Sequence, residues 1–224
     1  MLGQTQVEQD KMTANLDALL KGLSPVARDE IVRVLGHSNV CIPTCGVLQA
    51  VLRHFGFESY AVATEINACN PVQAQIFEAV GGREKAADAT PEQRKDWQER
   101  GGWAVGISPT MAAAKVPIKG DGWDGHLILR VDDILLDGSI EQCNNSEKDL
   151  ILPKLLWTPV DAEWDAGAAY ACVTLPNGCE VVYGKLDGDS WQNSPYWKSE
   201  IEPYKTKTRR LVDVIVSQLT RIGT

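Results

Sequence analysis

The chain has 224 residues, 44% of them hydrophobic, and a formal net charge of −8 at pH 7. This length and composition are typical of one well-packed domain, and we interpret residues 1–224 as a single domain. The acidic balance argues against nucleic acid or an anionic membrane surface as the main partner. Because the sequence has no export signal and no apolar stretch near the roughly 18 residues of a membrane span, the expected location is cytoplasmic.

Two helices are predicted in an N-terminal extension over residues 1–36. Apolar residues recur at a near-helical period through residues 5–22. Ser24 and Pro25 then supply an N-cap and a first-turn proline for a second helix, which runs to about Leu35.

A third helix is predicted from Cys41 to Gly56, within the sequence NVCIPTCGVLQAVLRHFGF. Its apolar residues share one stripe, so it should be a packed, central helix with a rigid first turn. The unpaired amides and the positive dipole at a helix start stabilise a thiolate, the reactive form of cysteine. Cys41 is therefore a candidate nucleophile, and Cys45, one turn further along, is the alternative candidate.

The segment after this helix predicts a strand, a short helix and a polar insert. Residues 57–66 alternate and favour a strand, and Asn70 followed by Pro71 favours a helix to about residue 80. Residues 81–101 are polar and flanked by glycine, which indicates an insert outside the core with one helical possibility after Pro91. A short strand over residues 103–107 and a loop over residues 108–125 are predicted to follow.

The rest of the chain predicts two hairpins and a last helix. The first hairpin joins residues 126–131 and 134–137, and the second joins residues 170–175 and 180–183. The Asn177-Gly178 pair of the second hairpin suits a type I′ turn. Apolar periodicity predicts a C-terminal helix within residues 204–224. Helices followed by hairpin-linked strands predict an α+β fold with an antiparallel sheet.

The first hairpin carries a histidine and a carboxylate near its open end. His126 opens one strand and Asp137 closes the other, so a hairpin centred on Asp132 and Asp133 sets them roughly opposite each other. Cross-strand neighbours lie about 5 Å apart at Cβ, which suits an imidazole–carboxylate hydrogen bond. A nucleophilic cysteine needs such a base and a group that orients it. Cys41, His126 and Asp137 are therefore the predicted catalytic residues.

Structural roles and metal binding remain alternatives at these positions. A cysteine, a strand histidine or an aspartate before Gly-Ser can each serve packing or a turn alone. Cys41, Cys45 and His37 are spaced four residues apart, as in some metal sites, and Cys69 is the only further nearby thiol. No cofactor or metal is predicted, and most of the six cysteines are expected to be free thiols.

Residues 41–57 resemble the nucleophile helix of the transglutaminase-like and arylamine N-acetyltransferase-like group of papain-like cysteine enzymes. In that group a cysteine starts a helix that ends in a Leu-Arg-x-x-Gly-type phrase, here LRHFG at residues 52–56, which selects Cys41 over Cys45. The sequences GHL at 125–127 and LDG at 136–138 are similar to the histidine and aspartate strands of the group. The resemblance implies a papain-like core with Cys41 as nucleophile, His126 as base and Asp137 as its orienting group.

The expected function is thiol-dependent acyl chemistry on a peptide, a protein or a small amide or acyl substrate. Hydrolysis of an amide or isopeptide bond is the first expectation, and acyl transfer to an amine is the second. The Cys41 amide should contribute to an oxyanion hole, with Asn39 as the nearest side-chain donor. Trp123 and Gln142 are candidates to line the cleft. A catalytically silent binding module of the same fold, or a Cys/His metal-binding protein, is the alternative.

Overall fold

A computed structural model of the protein describes residues 15–35, 41–108, 125–160, 162–168, 170–188, 190–193, 197 and 204–222. Seven strands form one sheet in which every pairing is antiparallel, and helices cover part of it. The prediction of a mixed helical and antiparallel-sheet fold is thus confirmed.

The described helices follow the predicted order. Residues 5–14 of the first predicted helix lie outside the described residues, and Ser24 to Val26 form a turn, so Pro25 precedes the second helix instead of opening it. No helix in the described ranges is both long and apolar enough to cross a bilayer. The helices are residues 15–23 (α1), Ala27–Leu35 (α2), Cys41–His54 (α3), Pro71–Ala79 (α4), Arg83–Ala87 (α5), Pro91–Glu99 (α6), Ala162–Asp165 (α7) and Tyr204–Ile222 (α8).

The sheet is built around its longest strand, β1. The strand order is β5-β4-β3-β1-β7-β6, and β2 pairs with β1 beyond the point where β3 begins. Thr64 of β1 pairs with His126 of β3, and Ile66 pairs with Ile107 of β2, so β2 and β3 lie along successive parts of β1. The strands are Tyr60–Cys69 (β1), Ala104–Ile107 (β2), His126–Val131 (β3), Ile134–Asp137 (β4), Leu156–Pro159 (β5), Tyr170–Thr174 (β6) and Glu180–Lys185 (β7).

Two apolar clusters lie on opposite faces of the sheet, because successive strand side chains alternate. Leu127 and Leu129 of β3 face the first cluster, in which α3 packs on β3 and is itself covered by α8. Ile128 faces the second cluster together with Tyr183 of β7. The buried stripe of α3 predicted from the sequence is confirmed, since Val47, Leu48, Val51 and Leu52 are fully buried.

Several boundaries differ from the sequence predictions. The first strand runs from Tyr60 to Cys69, later than the predicted 57–66, and the predicted insert contains two helices instead of one. Strand β5 was not predicted. Leu175 pairs with Cys179 across a three-residue loop in which Gly178 has φ +80°, whereas Asn177 does not adopt a positive φ. A type I′ turn needs positive φ at both central residues, so that prediction is wrong and the loop is of the three-residue class.

Candidate active site

Cys41 is the first residue of α3, and the packing of that helix fixes its position. The thiol of Cys45, one turn further on, donates to the carbonyl oxygen of Leu127 at 3.2 Å. Gly138, just after β4, lies so close to α3 that an added Cβ would be 2.5 Å from Leu48 Cδ1 and 2.8 Å from Thr44 Cγ2. The first turn of α3 is therefore seated on β3 and on the end of β4, and Cys41 remains half-buried.

His126 is the first residue of β3 and is fully buried. Its carbonyl oxygen accepts a hydrogen bond from Thr64 Oγ1 at 3.0 Å, which ties the strand end to β1. Its ring is held at both nitrogens: Nε2 lies 2.8 Å from Asp137 Oδ2, and Nδ1 lies 3.1 Å from the side-chain nitrogen of Gln142. Cys41 is close enough to His126 to help raise the pKa of the ring. The described residues thus bring the three predicted catalytic side chains together.

The cross-strand geometry of the histidine and the aspartate differs in one respect from the sequence prediction. The observed register pairs Leu129 with Leu136, and its continuation sets Asp137 opposite Ile128 instead of His126. His126 and Asp137 are therefore diagonal neighbours on one face of the sheet, a separation that long side chains can still bridge. The hydrogen bond forms because both side chains point to the same face.

Asp137 is almost fully buried and receives hydrogen bonds on both carboxylate oxygens. Tyr183 donates its hydroxyl to Oδ2 at 3.0 Å, the same oxygen that His126 contacts. Ser139 donates its backbone N–H to Oδ1 at 2.9 Å and its hydroxyl to the same oxygen at 3.3 Å. Asp137 therefore has two sets of contacts: one oxygen organises the turn and the other meets the histidine.

The charges in this site stabilise one another. Burial lowers the pKa of His126, but the charge and hydrogen bond of Asp137, followed by the interaction with Cys41, outweigh burial and raise that pKa to about 10. Burial raises the pKa of Asp137, but the charge and hydrogen bond of His126 and the donors on Ser139 and Tyr183 outweigh it and hold the pKa below its ordinary 3.8. At neutral pH the pair is therefore an imidazolium and a carboxylate.

This arrangement can hold one histidine tautomer and move a proton at the other ring nitrogen. Asp137 occupies Nε2, so Nδ1 is the nitrogen left to exchange a proton with a neighbouring group. Gln142, in the short 3-10 helix Ile140–Cys143, was predicted to line the cleft, and its carboxamide contacts that nitrogen. Asn39 and Trp123 lie outside the described residues, so their predicted roles stay predictions.

Tyr183 is the member of this hydrogen-bond network that the sequence analysis missed. It lies 46 residues after Asp137, on a different hairpin, and is fully buried. No local motif surrounds it, and a buried tyrosine is ordinary in a strand. The pairing of Ile66 with Tyr183 across β1 and β7 brings its ring beneath Asp137, which only the sheet order decides.

The remaining cysteines have separate environments. Cys45 is buried, and burial, followed by the charges of Cys41 and Asp137, raises the pKa of its thiol well above the ordinary value. Cys69 accepts a hydrogen bond from Arg83 at 3.1 Å, and all six thiols are unbridged. Among the described residues no three His, Cys, Asp or Glu side chains are grouped to hold a metal, and His37 lies outside them.

Comparisons with protein-family profiles, with curated proteins and with solved structures found no match to this chain. The site must therefore be interpreted from its own geometry. That geometry is a half-buried thiol at a helix start, a buried histidine beside it, and a buried carboxylate that fixes the histidine.

Proposed function

We propose that this protein is a cysteine enzyme with a papain-like, transglutaminase-like core that performs acyl chemistry through Cys41, His126 and Asp137. The observation that carries the proposal is the buried pair of His126 and Asp137, joined at 2.8 Å, beside Cys41 at the start of α3, which helps to raise the pKa of His126. A nucleophile, a base and an orienting group within hydrogen-bond reach form the signature of nucleophilic catalysis.

In the proposed reaction the Cys41 sulfur attacks the carbonyl carbon of an amide, isopeptide or other acyl substrate. Because His126 is already an imidazolium at neutral pH, we infer that the thiol proton resides on Nδ1 before the attack, and the carbonyl electrons then move onto oxygen to give a tetrahedral oxyanion. When this collapses, His126 gives the proton to the leaving amine, and a thioester to Cys41 remains. Water or a second amine then attacks the thioester, with His126 again taking and returning the proton. Hydrolysis is the first choice and transfer the second.

The residues around the pair support this proposal. Asp137 accepts from Nε2 and stabilises the imidazolium, which leaves Nδ1 as the ring nitrogen that can exchange a proton with the thiol. The carboxamide of Gln142 lies within 3.1 Å of Nδ1, where it is close to the reacting atoms. Its N–H donor, together with the Cys41 backbone amide, is a candidate for stabilising the oxyanion.

Alkylation kinetics test the proposal directly. At pH 6.5 an ordinary thiol with a pKa near 8.5 is only about 1% thiolate, so it reacts slowly with iodoacetamide. Cys41 should react at least tenfold faster than Cys172, an exposed cysteine of the same protein, and tenfold faster than free glutathione, because burial and the charge of Glu180 raise the pKa of Cys172 and would slow it by themselves. The variant His126→Ala should reduce Cys41 to the rate of Cys172, as measured by mass spectrometry of tryptic peptides.

Two outcomes of that experiment would contradict the proposal. Equal rates for Cys41 and Cys172 in the native protein would favour the alternative of a silent binding module. An unchanged Cys41 rate in His126→Ala would show that the histidine does not activate the thiol. Cys45 reports on folding, because it is buried and should stay protected in any variant that keeps α3 packed.

A further inference from the structure

A cavity lies apart from the cysteine site, between the sheet and the helices of the predicted insert. Its volume is about 1130 Å³, and its floor is formed by β1, β6 and β7, with α4, α5, α6 and the start of β2 as walls. Cys41, His126 and Asp137 do not line it. A concave space of this size is large enough for a small-molecule ligand.

The cavity and Asp137 lie on opposite faces of the sheet. Asn67 of β1 pairs with Val182 of β7, and both line the cavity. The preceding residue of β1, Ile66, pairs with Tyr183, whose hydroxyl contacts Asp137. Because adjacent strand residues point to opposite faces, the cavity is a separate site.

Aromatic side chains supply much of the cavity wall. Phe77 comes from α4, Trp97 from α6, Trp103 from the segment before β2, and Tyr170 from β6. Four aromatic side chains from four separate segments surround one space. Such walls favour an aromatic ligand, because ring pairs gain from stacked or edge-to-face contacts beyond simple burial.

The charged side chains of the cavity balance in number, and all but the exposed Glu84 have partners among the described residues. Two acidic residues, Glu65 and Glu84, and two basic residues, Arg83 and Arg94, line it. Arg83 forms an ion pair with Glu180 at 2.9 Å and lies over the Phe77 ring at 4.7 Å. Ser108 donates to Glu65 at 2.7 Å, and Arg94 donates to the carbonyl oxygens of residues 87 and 89. A charged ligand would therefore bring an uncompensated charge into the cavity.

Gln73 presents an unpaired carboxamide to the cavity. The residue is only 6% exposed and lines the cavity, and no hydrogen bond joins its carboxamide to another described residue. Gly102 leaves the space that the carboxamide occupies, since a Cβ there would lie 2.6 Å from Gln73 Oε1. Among the described residues the fully buried polar side-chain atoms without a partner belong to Thr44 and Ser59, so the carboxamide of Gln73 is reached from the cavity. A ligand there that offers both a donor and an acceptor would pair with it.

We propose that this cavity binds a neutral aromatic ligand that carries an amide group. The ring lies among the aromatic walls, and the amide pairs with the carboxamide of Gln73. This site is independent of the chemistry proposed for Cys41.

A charge series of small probes tests this assignment. N-acetylphenylalaninamide is neutral and aromatic, whereas N-acetylphenylalanine is anionic, phenylalaninamide is cationic, and N-acetylalaninamide lacks the ring. Titration of each probe into the full-length protein, followed by calorimetry and ligand-observed NMR, measures the affinities. The neutral aromatic amide should bind at least tenfold more tightly than each of the other three. Equal affinities for all four probes, or no binding of the first at millimolar concentration, would overturn the proposal.

Variants then locate the bound probe. Gln73→Leu should weaken binding of N-acetylphenylalaninamide about tenfold, as expected for the loss of a hydrogen bond in a buried site. Gln75→Leu is the matched control, because this glutamine is two residues away on α4 and exposed. Cys41→Ala should bind normally. If Gln73→Leu binds normally, or if Cys41→Ala abolishes binding, the ligand is not in this cavity; neither result bears on the alkylation test.

Discussion

The substitution Asp137→Asn should destabilise the protein strongly, because it leaves His126 buried without its counter-charge. The pKa of His126, about 10 in the folded protein against an ordinary 6.5, corresponds to roughly 5 kcal/mol in favour of the imidazolium. Removing one partner of a buried ion pair typically lowers the unfolding free energy by about 3–5 kcal/mol. This range agrees with the value worked from the pKa of His126. We expect the variant to lose about 3–5 kcal/mol of unfolding free energy at pH 6.5.

The same substitution should change how stability depends on pH. The folded protein keeps the His126 proton up to about pH 10, whereas the unfolded chain releases it near 6.5. The stabilisation is therefore complete below pH 6.5 and is lost as pH rises through about 10, with a slope near 1.4 kcal/mol per pH unit. Between pH 6.5 and 8 the unfolding free energy of the native protein should fall by about 2 kcal/mol. In Asp137→Asn, burial keeps the histidine neutral and the profile should be flat.

Urea denaturation at several pH values measures both effects. The range is kept below pH 8 because unfolded cysteines begin to ionise near their pKa of about 8.5. Asp133→Asn, the same change at an exposed turn residue, is the matched control and should stay within about 0.5 kcal/mol of the native protein. A flat native profile, or an Asp137→Asn variant as stable as this control, would refute the proposed charge pair.

Three further substitutions test contacts that hold the residues of the cysteine site and of the cavity in place, and each is measured by its effect on the unfolding free energy. Tyr183→Phe removes one donor to Asp137 and should cost about 1–3 kcal/mol; a cost near zero would show that this hydrogen bond contributes little. Gly138→Ala forces a methyl group against Leu48 and should cost about 1–3 kcal/mol while slowing Cys41 alkylation; an unchanged rate would mean that α3 does not depend on this contact. Asn70→Ala removes the N-cap of α4 and should cost at least about 1 kcal/mol; unaltered stability would contradict its assignment as a cap.

The nucleophile helix shows how much of the site local sequence can predict. Its apolar stripe and the glycine that follows its last turn, Gly56 with φ +87°, are local properties. They predicted the helix Cys41–His54 that the structure contains. The first hairpin could also be predicted from local sequence, because the turn at Asp132 and Asp133 brings β3 and β4 together. The His126–Asp137 contact followed from that hairpin, although the register made it diagonal instead of direct.

Local sequence patterns could not predict contacts between strands that are far apart in the chain. Tyr183 reaches Asp137 because β7 lies next to β1, and no property of its neighbours in sequence records that order. The polar insert was predicted to lie outside the core, yet its helices α5 and α6 form walls of a cavity. Strand β5 was missed for the same reason, because its apolar residues become a strand only by pairing with β4.

The sequence by itself determined most of the helices, the two hairpins and the identity of three candidate catalytic side chains, because periodicity, turns and helix ends act over a few residues. The tertiary structure decided which groups meet. Burial of His126 and Asp137 in one sheet face makes their charges interdependent, and α4 to α6 on the other face enclose the cavity that Gln73 lines. The first outcome arises from desolvation, whose effect on a charged group depends on everything packed around it, and the second from which elements the fold brings together.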